Sequence, residues 1–188
     1  IYDVGVDAMN NVYIGGNVRV NDLSPASNPG TPGAWQENPL SYDGGFAAKL
    51  TADGTSLAYF TYITADDTAG SPFTDVSIIE IDVDAAGNLV AVGDVDGEGF
   101  PTSPGVVQPP FQGGSSDWVV VSLNNTGGLN FSTYLGGTDW EYDQSANIEI
   151  GPGGNIYVSG STYAWDYPTT AGVFGHTATS PGASVERG

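Results

Sequence analysis

Cysteine is absent from this 188-residue chain. No disulfide framework can hold it together, and no thiolate can bind a metal or attack a substrate. Histidine occurs once, at His176. Zinc sites draw on several His or Cys ligands, and a Ser-His-Asp arrangement would have to use this single imidazole near the C-terminal end. Basic residues are nearly missing: Arg19, Lys49 and Arg187 stand against 22 acidic residues, a formal charge of −19. Nucleic-acid binding needs clustered Lys and Arg to displace counterions. A nucleic-acid partner is therefore excluded, and so is electrostatic docking to anionic lipid. No apolar run approaches the roughly 20 residues that span a bilayer, so membrane insertion is not expected. The chain begins at Ile1 with neither Met nor a basic-then-apolar leader. That fits a processed mature protein or an excised piece of a longer one.

What the chain does have is small, polar and acidic. Charged residues make up only 13% of it, and most are Asp. About half of the Asp fall where turns need them. The rest imply a Ser/Thr/Asn/Asp surface suited to an extracellular location or cell surface, where salt, calcium, glycans or low pH soften self-repulsion. Runs of four to seven Val, Ile, Tyr, Phe and Thr are each closed by Gly, Asp, Asn or Pro, and no helical period is sustained. The expected class is all-β.

The runs repeat. Val6-Asp7-Ala8-Met9-Asn10-Asn11-Val12-Tyr13-Ile14-Gly15-Gly16 returns as Val83 to Gly93 and again as Ile150 to Gly160. The anchoring residues Asn11, Asn88 and Asn155 are 77 and 67 residues apart. Thr31-Pro32-Gly33-Ala34-Trp35-Gln36 matches Ser103-Pro104-Gly105-Val106-Val107-Gln108, then Thr170-Ala171-Gly172-Val173-Phe174. Leu57 to Ile63 matches Leu129 to Leu135 in the same phase. Self-similarity of this kind marks supersecondary units that bury their apolar faces on one another. Each unit contains a first hairpin turning at the Asp/Gly/Asn phrase. A second follows, turning at Asp53-Gly54 or Thr126-Gly127-Gly128. Pro-rich crossings run through about 17–44 and 94–116.

Together the phrases Asp84 to Gly93, Phe100 to Gln108 and Phe131 to Gly137 resemble the bacterial and archaeal β-propeller repeat of secreted and cell-surface proteins. The resemblance covers nearly all of residues 1–174. It implies four-stranded antiparallel blades and an extracellular location, and it carries over no catalytic residue. The units here are longer than typical copies and too few for a ring. Five hairpins make about two and a half blades, over about 1–76, 77–145 and a partial 146–174, with 175–188 as a tail or linker. A closed propeller needs at least four blades. The expected fold is thus antiparallel hairpins stacked as propeller-like blades, not closed within one chain.

Chemistry-bearing clusters are few. Asp94, Asp96 and Glu98 place carboxylates on alternate residues, a possible Ca²⁺ site, since calcium takes hard oxygen ligands. Asp82 and Asp84 share that spacing at a strand end. Asp139, Glu141, Asp143 and Glu149, near Trp140 and Tyr142, offer carboxylates for glycoside hydrolysis, or simply a polar loop. Asn124 and Asn130 begin N-glycosylation sequons, Asn124 on a predicted turn. Trp35, Trp118, Trp140, Trp165, Tyr163 and Tyr167 either pack between units or stack on glycans. No cofactor is required by any of these patterns.

An odd hairpin and an open stack leave strand edges and apolar faces that invite another chain. The leading expectation is an extracellular structural protein, not an enzyme, self-associating as a subunit of a filament, surface layer or adhesive appendage. Its partners are copies of itself or neighbouring repeats of a longer chain. The self-association residues expected are Ile1, Val4, Val6, Val12 and Ile14 in the first hairpin, with Ile148, Ile150, Ile156 and Val158 in the last. The alternatives are a glycan- or protein-binding propeller fragment of a larger secreted protein and, more weakly, a polysaccharide-acting enzyme.

Overall fold

The computed structural model describes residues 1–19, 28–66, 68, 74–141 and 145–173. Ten strands account for its regular structure: β1 (Asp3–Val6), β2 (Val12–Arg19), β3 (Asp43–Leu50), β4 (Leu57–Ile63), β5 (Val76–Val83), β6 (Leu89–Val95), β7 (Asp117–Leu123), β8 (Leu129–Leu135), β9 (Asn147–Ile150) and β10 (Ile156–Ser159). They form two four-stranded antiparallel sheets, β1-β2-β3-β4 and β5-β6-β7-β8, followed by the hairpin β9-β10. The all-β class and the stacked-hairpin architecture expected from the repeats are what the chain adopts. Among the described residues no sheet closes on itself.

The repeated Asp-to-Asn phrase is a turn that locks itself. Asp7 Oδ1 accepts the backbone N–H groups of Met9 and Asn11, while the Asn11 side-chain amide donates to Oδ2. Asp84 holds Ala86 and Asn88 in the same way. The residue before each anchoring Asn takes positive φ: Asn10 at 63°, Gly87 at 82° and Gly154 at 81°. Asn tolerates that conformation better than other side chains, which explains Asn10 where the later copies use glycine.

The second repeated phrase seals an edge. Thr31 donates its N–H to the Phe60 carbonyl and accepts the Phe60 N–H on its hydroxyl. Ser103 does the same with Ser132. Five residues on, the Gln36 carboxamide exchanges two hydrogen bonds with the backbone of Thr64, and Gln108 does so with Gly136. Outer strands β4 and β8 thus present no bare ladder to another chain, which is how sheet proteins blunt edges.

Side chains alternate between a front and a rear of each sheet, with bulges at Lys49/Leu50, Ile78/Glu80 and Ser122/Leu123 shifting the register. On the first sheet the rear carries Tyr13, Ala47, Tyr59 and Ile63, and on the second the front carries Ile81, Leu89, Ala91, Val119 and Val121. These residues form the main core. The second sheet's rear carries Val90, Val92, Trp118 and Val120, which pack with Ile148 of the third hairpin into a second core. Interiors of this kind are close-packed, so each layer is fixed by its neighbour's shape.

Candidate functional site

Shifting the first copy by 77 residues and the third back by 67 places Val4, Val6, Val12 and Ile14 on Ile81, Val83, Leu89 and Ala91, and these on Ile148, Ile150, Ile156 and Val158. All twelve lie at front-face positions. In the second copy the first sheet covers them: Ile81 is 5% exposed, Leu89 and Ala91 are fully buried, and Val83 packs against the core. In the first copy no layer among the described residues does so. Val4 and Val6 are 60% and 58% exposed, and Ile1 is more open still. Val12 and Ile14 are half-buried. The outer half of the same face is self-covered, because Phe46 stacks on Phe60 at 5.0 Å and Tyr62 stands edge-on to Phe60.

The last hairpin behaves differently from what its lack of a mate suggested. Ile148 is buried, and Ile150, Ile156 and Val158 pack against the second sheet's rear. Their apolar side is already occupied within the chain. What the hairpin leaves open is its other side, where Asn147, Glu149, Tyr157 and Ser159 are exposed. Sequence reasoning missed this side. The signal was there in Tyr157, which falls at the place of Tyr13.

Both junctions between layers share one polar device on the first strand of each layer, β1, β5 and β9, here called the inner strand. A carboxylate on the inner strand of one layer accepts an N–H from the inner strand of the next. Asp3 Oδ2 takes the Ile81 N–H at 2.9 Å, Glu80 Oε2 takes Ile148 at 3.1 Å and Asp82 Oδ2 takes Ile150 at 2.6 Å. Inner strands have one unbonded side, and charged acceptors satisfy its donors without extending the sheet. A groove of about 660 Å³ lies where this row ends, lined by Glu80, Asp82, Asn147, Glu149, Tyr157 and Ser159 among others.

Two buried polar groups anchor the layers. Lys49 sits 3.6 Å from Asp7 Oδ2 and 4.9 Å from the Tyr13 ring centre, and the Tyr13 hydroxyl bonds both Asp7 and the Gly87 carbonyl. Burial alone would raise the Asp7 carboxyl. Its hydrogen bonds from Asn11, Met9 and Tyr13 instead hold it down at about 2. Asp117 and Glu141 form a fully buried carboxyl pair. Asp117 Oδ2 accepts the Gln112 N–H, and Glu141 Oε1 accepts from Thr162 and Gly137. Their remaining oxygens, Oδ1 and Oε2, meet beside Gly136 with no other donor. Two acceptors can bond only if one carries a proton. Burial, above all, pushes Asp117 up to about 6 and Glu141 up to about 7, the latter also through its bond to Asp117. The first sheet has Gly44 at the place of Asp117, so the repeat does not itself require this pair.

The remaining sequence candidates are dispersed. Asp96 is exposed and its Oδ1 accepts the Asp75 N–H, Asp94 is half-buried, and Glu98 is exposed. Among the described residues no three His, Cys, Asp or Glu side chains form a group able to hold a metal. Glu141 is inaccessible, Asp139 is exposed and Glu149 lies on the third hairpin, so these carboxylates do not flank an open cleft. Asp143, Tyr142, His176 and the expected tail lie outside the described residues. Asn124 is half-buried, with its Oδ1 holding Thr126 and Gly128, whereas Asn130 is exposed on β8. Trp35 packs edge-on to Phe100 and Trp118 edge-on to Tyr167. Trp140 stacks on Tyr163 at 5.4 Å, and Tyr163 and Trp165 are more than half exposed.

No helix among the described residues is long and apolar enough to cross a membrane. Compared with known protein families and with curated proteins, the chain matches none.

Proposed function

We propose that this is an extracellular structural protein of propeller-repeat type, without enzymatic activity, that self-associates as a subunit of a filament, surface layer or adhesive appendage. The observation that carries this reading is the front face of the first sheet. Val4 and Val6 are open at positions where the second copy has Ile81 and Val83 covered by a neighbouring layer. A contiguous apolar patch beside polar rims is the usual mark of an association surface. The acidic, lysine-poor composition suits exposure to salt outside the cell. Negative-stain electron microscopy of concentrated protein tests the reading. Stacks or filaments are expected, and uniform isolated particles at every concentration contradict it.

A second reading has its own observation. Tyr163 and Trp165 expose aromatic faces next to the Trp140 stack, and such faces bind sugars by stacking. A glycan-binding module predicts retention on polysaccharide columns that Trp165→Ala abolishes. Elution at the void-corrected volume for both proteins rules it out.

A further inference from the structure

We propose that a second copy of this chain docks its first-sheet front on the exposed side of β9-β10, in the register already used at the two internal junctions. This inference rests on the self-association reading above and specifies its surfaces and contacts. Three equivalences fix the register.

The row of side-chain acceptors on the inner strands runs Asp3, then Glu80 and Asp82, and by the repeat spacing continues at the Asn147 carboxamide and the Glu149 carboxylate. Glu80 and Asp82 receive the Ile148 and Ile150 N–H groups. Asn147 and Glu149 are exposed, and among the described residues no strand follows β10. The residues of the first copy at the places of Ile148 and Ile150 are Val4 and Val6, on the unpaired side of β1. Asn147 thus meets the Val4 amide of the second copy, which in the single chain donates to the adjacent Asp3 Oδ1, and Glu149 meets its Val6 amide.

Tyr157 is the third point. Tyr13, its counterpart, donates its hydroxyl to the Gly87 carbonyl across the first junction. Gly87 takes positive φ, and the residue at its place in the first copy is Asn10, the one described non-glycine residue with positive φ. The Asn10 carbonyl of the second copy is therefore presented to Tyr157 as Gly87 is to Tyr13. Tyr157 is 59% exposed, with its ring over Gly151, so its hydroxyl is available.

The apolar share of the contact is Val4, Val6, Val12 and Ile14 against the Tyr157 ring. The two surfaces differ, so the contact is heterologous: a pair of copies retains one free front and one free rear. Such contacts propagate unless the rotation closes a ring. The outer edges β4 and β8 are already sealed by Thr31 to Gln36 and Ser103 to Gln108, so sheet extension is blocked at those two strands.

Mixing two blocked variants tests this on the full chain. Val6→Asp disables the front alone, and Tyr157→Asp disables the rear alone. By sedimentation velocity, wild type is expected to grow with concentration, and each variant alone is expected to associate at least tenfold more weakly. The equimolar mixture should give a one-to-one pair and nothing larger, because one intact front and one intact rear remain. Glu149→Ala, a milder change, should weaken wild-type assembly without affecting circular dichroism. Assembly that survives both blocked variants overturns the register while leaving self-association standing. A wild type that stays monomeric at every concentration overturns both.

Discussion

Sheets one and two are built to nearly the same plan, and the instructive difference is what lies in front of each. The second sheet meets Tyr13, Tyr59 and Ala47 of the first, and its front residues are buried. The first sheet presents the same positions to solvent. Hydrophobic gain scales with the area removed from water, roughly 25 cal/mol per Å² of apolar surface. Equivalent side chains in the two sheets therefore contribute very differently to the stability of one chain. The same residue pattern acts as core in one place and as an unoccupied surface in the other.

The largest effect expected from perturbing this comparison is at Asp7, whose carboxylate faces the first junction. Asp7→Ala leaves the buried Lys49 without its counter-charge and frees the turn. Loss of one partner of a buried pair costs about 3–5 kcal/mol. Urea unfolding should show that shift, and the corresponding change at Asp84, which has no lysine, should cost less. Next, Leu89→Ala removes a fully buried side chain and should destabilise by about 2–5 kcal/mol. Val12→Ala at the matching place in the first sheet should cost less than about 1.5 kcal/mol in dilute solution. Similar costs at the two sites would show that the first front is covered after all.

A third perturbation uses pH. Asp117 and Glu141 bind protons more tightly folded than unfolded, because their carboxyls rise from 3.8 to about 6 and from 4.5 to about 7. Their contribution is complete below the unfolded values and is lost as pH rises through about 6 to 7. Asp7 works in the opposite sense: depressed to about 2, it stabilises above 3.8 and loses that contribution on further acidification. Thermal unfolding should therefore peak between about pH 4 and 5. Glu141→Gln, which keeps a donor beside Asp117, should flatten the decline toward pH 8. An unchanged slope in that variant would place the pH dependence elsewhere. The smallest effect is expected from Val4→Asp, which should alter the monomer's unfolding by no more than about 0.5 kcal/mol, as surface changes usually do.

Much of this architecture was legible in the sequence because the repeated turn phrase is a local device. Asp7 and Asn11 bond each other within one turn, so their spacing announces it. Thr31 and Gln36 instead reach Phe60 and Thr64, 29 and 28 residues on, and the edge seal they make could not be read from spacing alone. The side chains of Ile148, Ile150, Ile156 and Val158 were read as unpartnered because counting hairpins cannot tell which face of the last one is turned inward. Alternation gives two faces, and only the stacking direction chooses between them. The Asp117–Glu141 pair was invisible for a related reason. Its members lie on β7 and on the segment after β8, and they meet only because Gly136 has no side chain to hold them apart. Glu141 was noticed as one of several acids, without Asp117.

On the proposed stacking, the first sheet's front is one half of a third junction of the kind the chain makes twice internally. Amide hydrogen exchange followed as a function of protein concentration tests it at the atoms concerned. Protection of the β1 segment containing Val4 and Val6 should rise with concentration, while that of Ile81 and Ile148 stays constant because their acceptors are internal. If β1 exchanges at one rate from the most dilute sample to the most concentrated, the front is an ordinary solvated surface and the account is wrong.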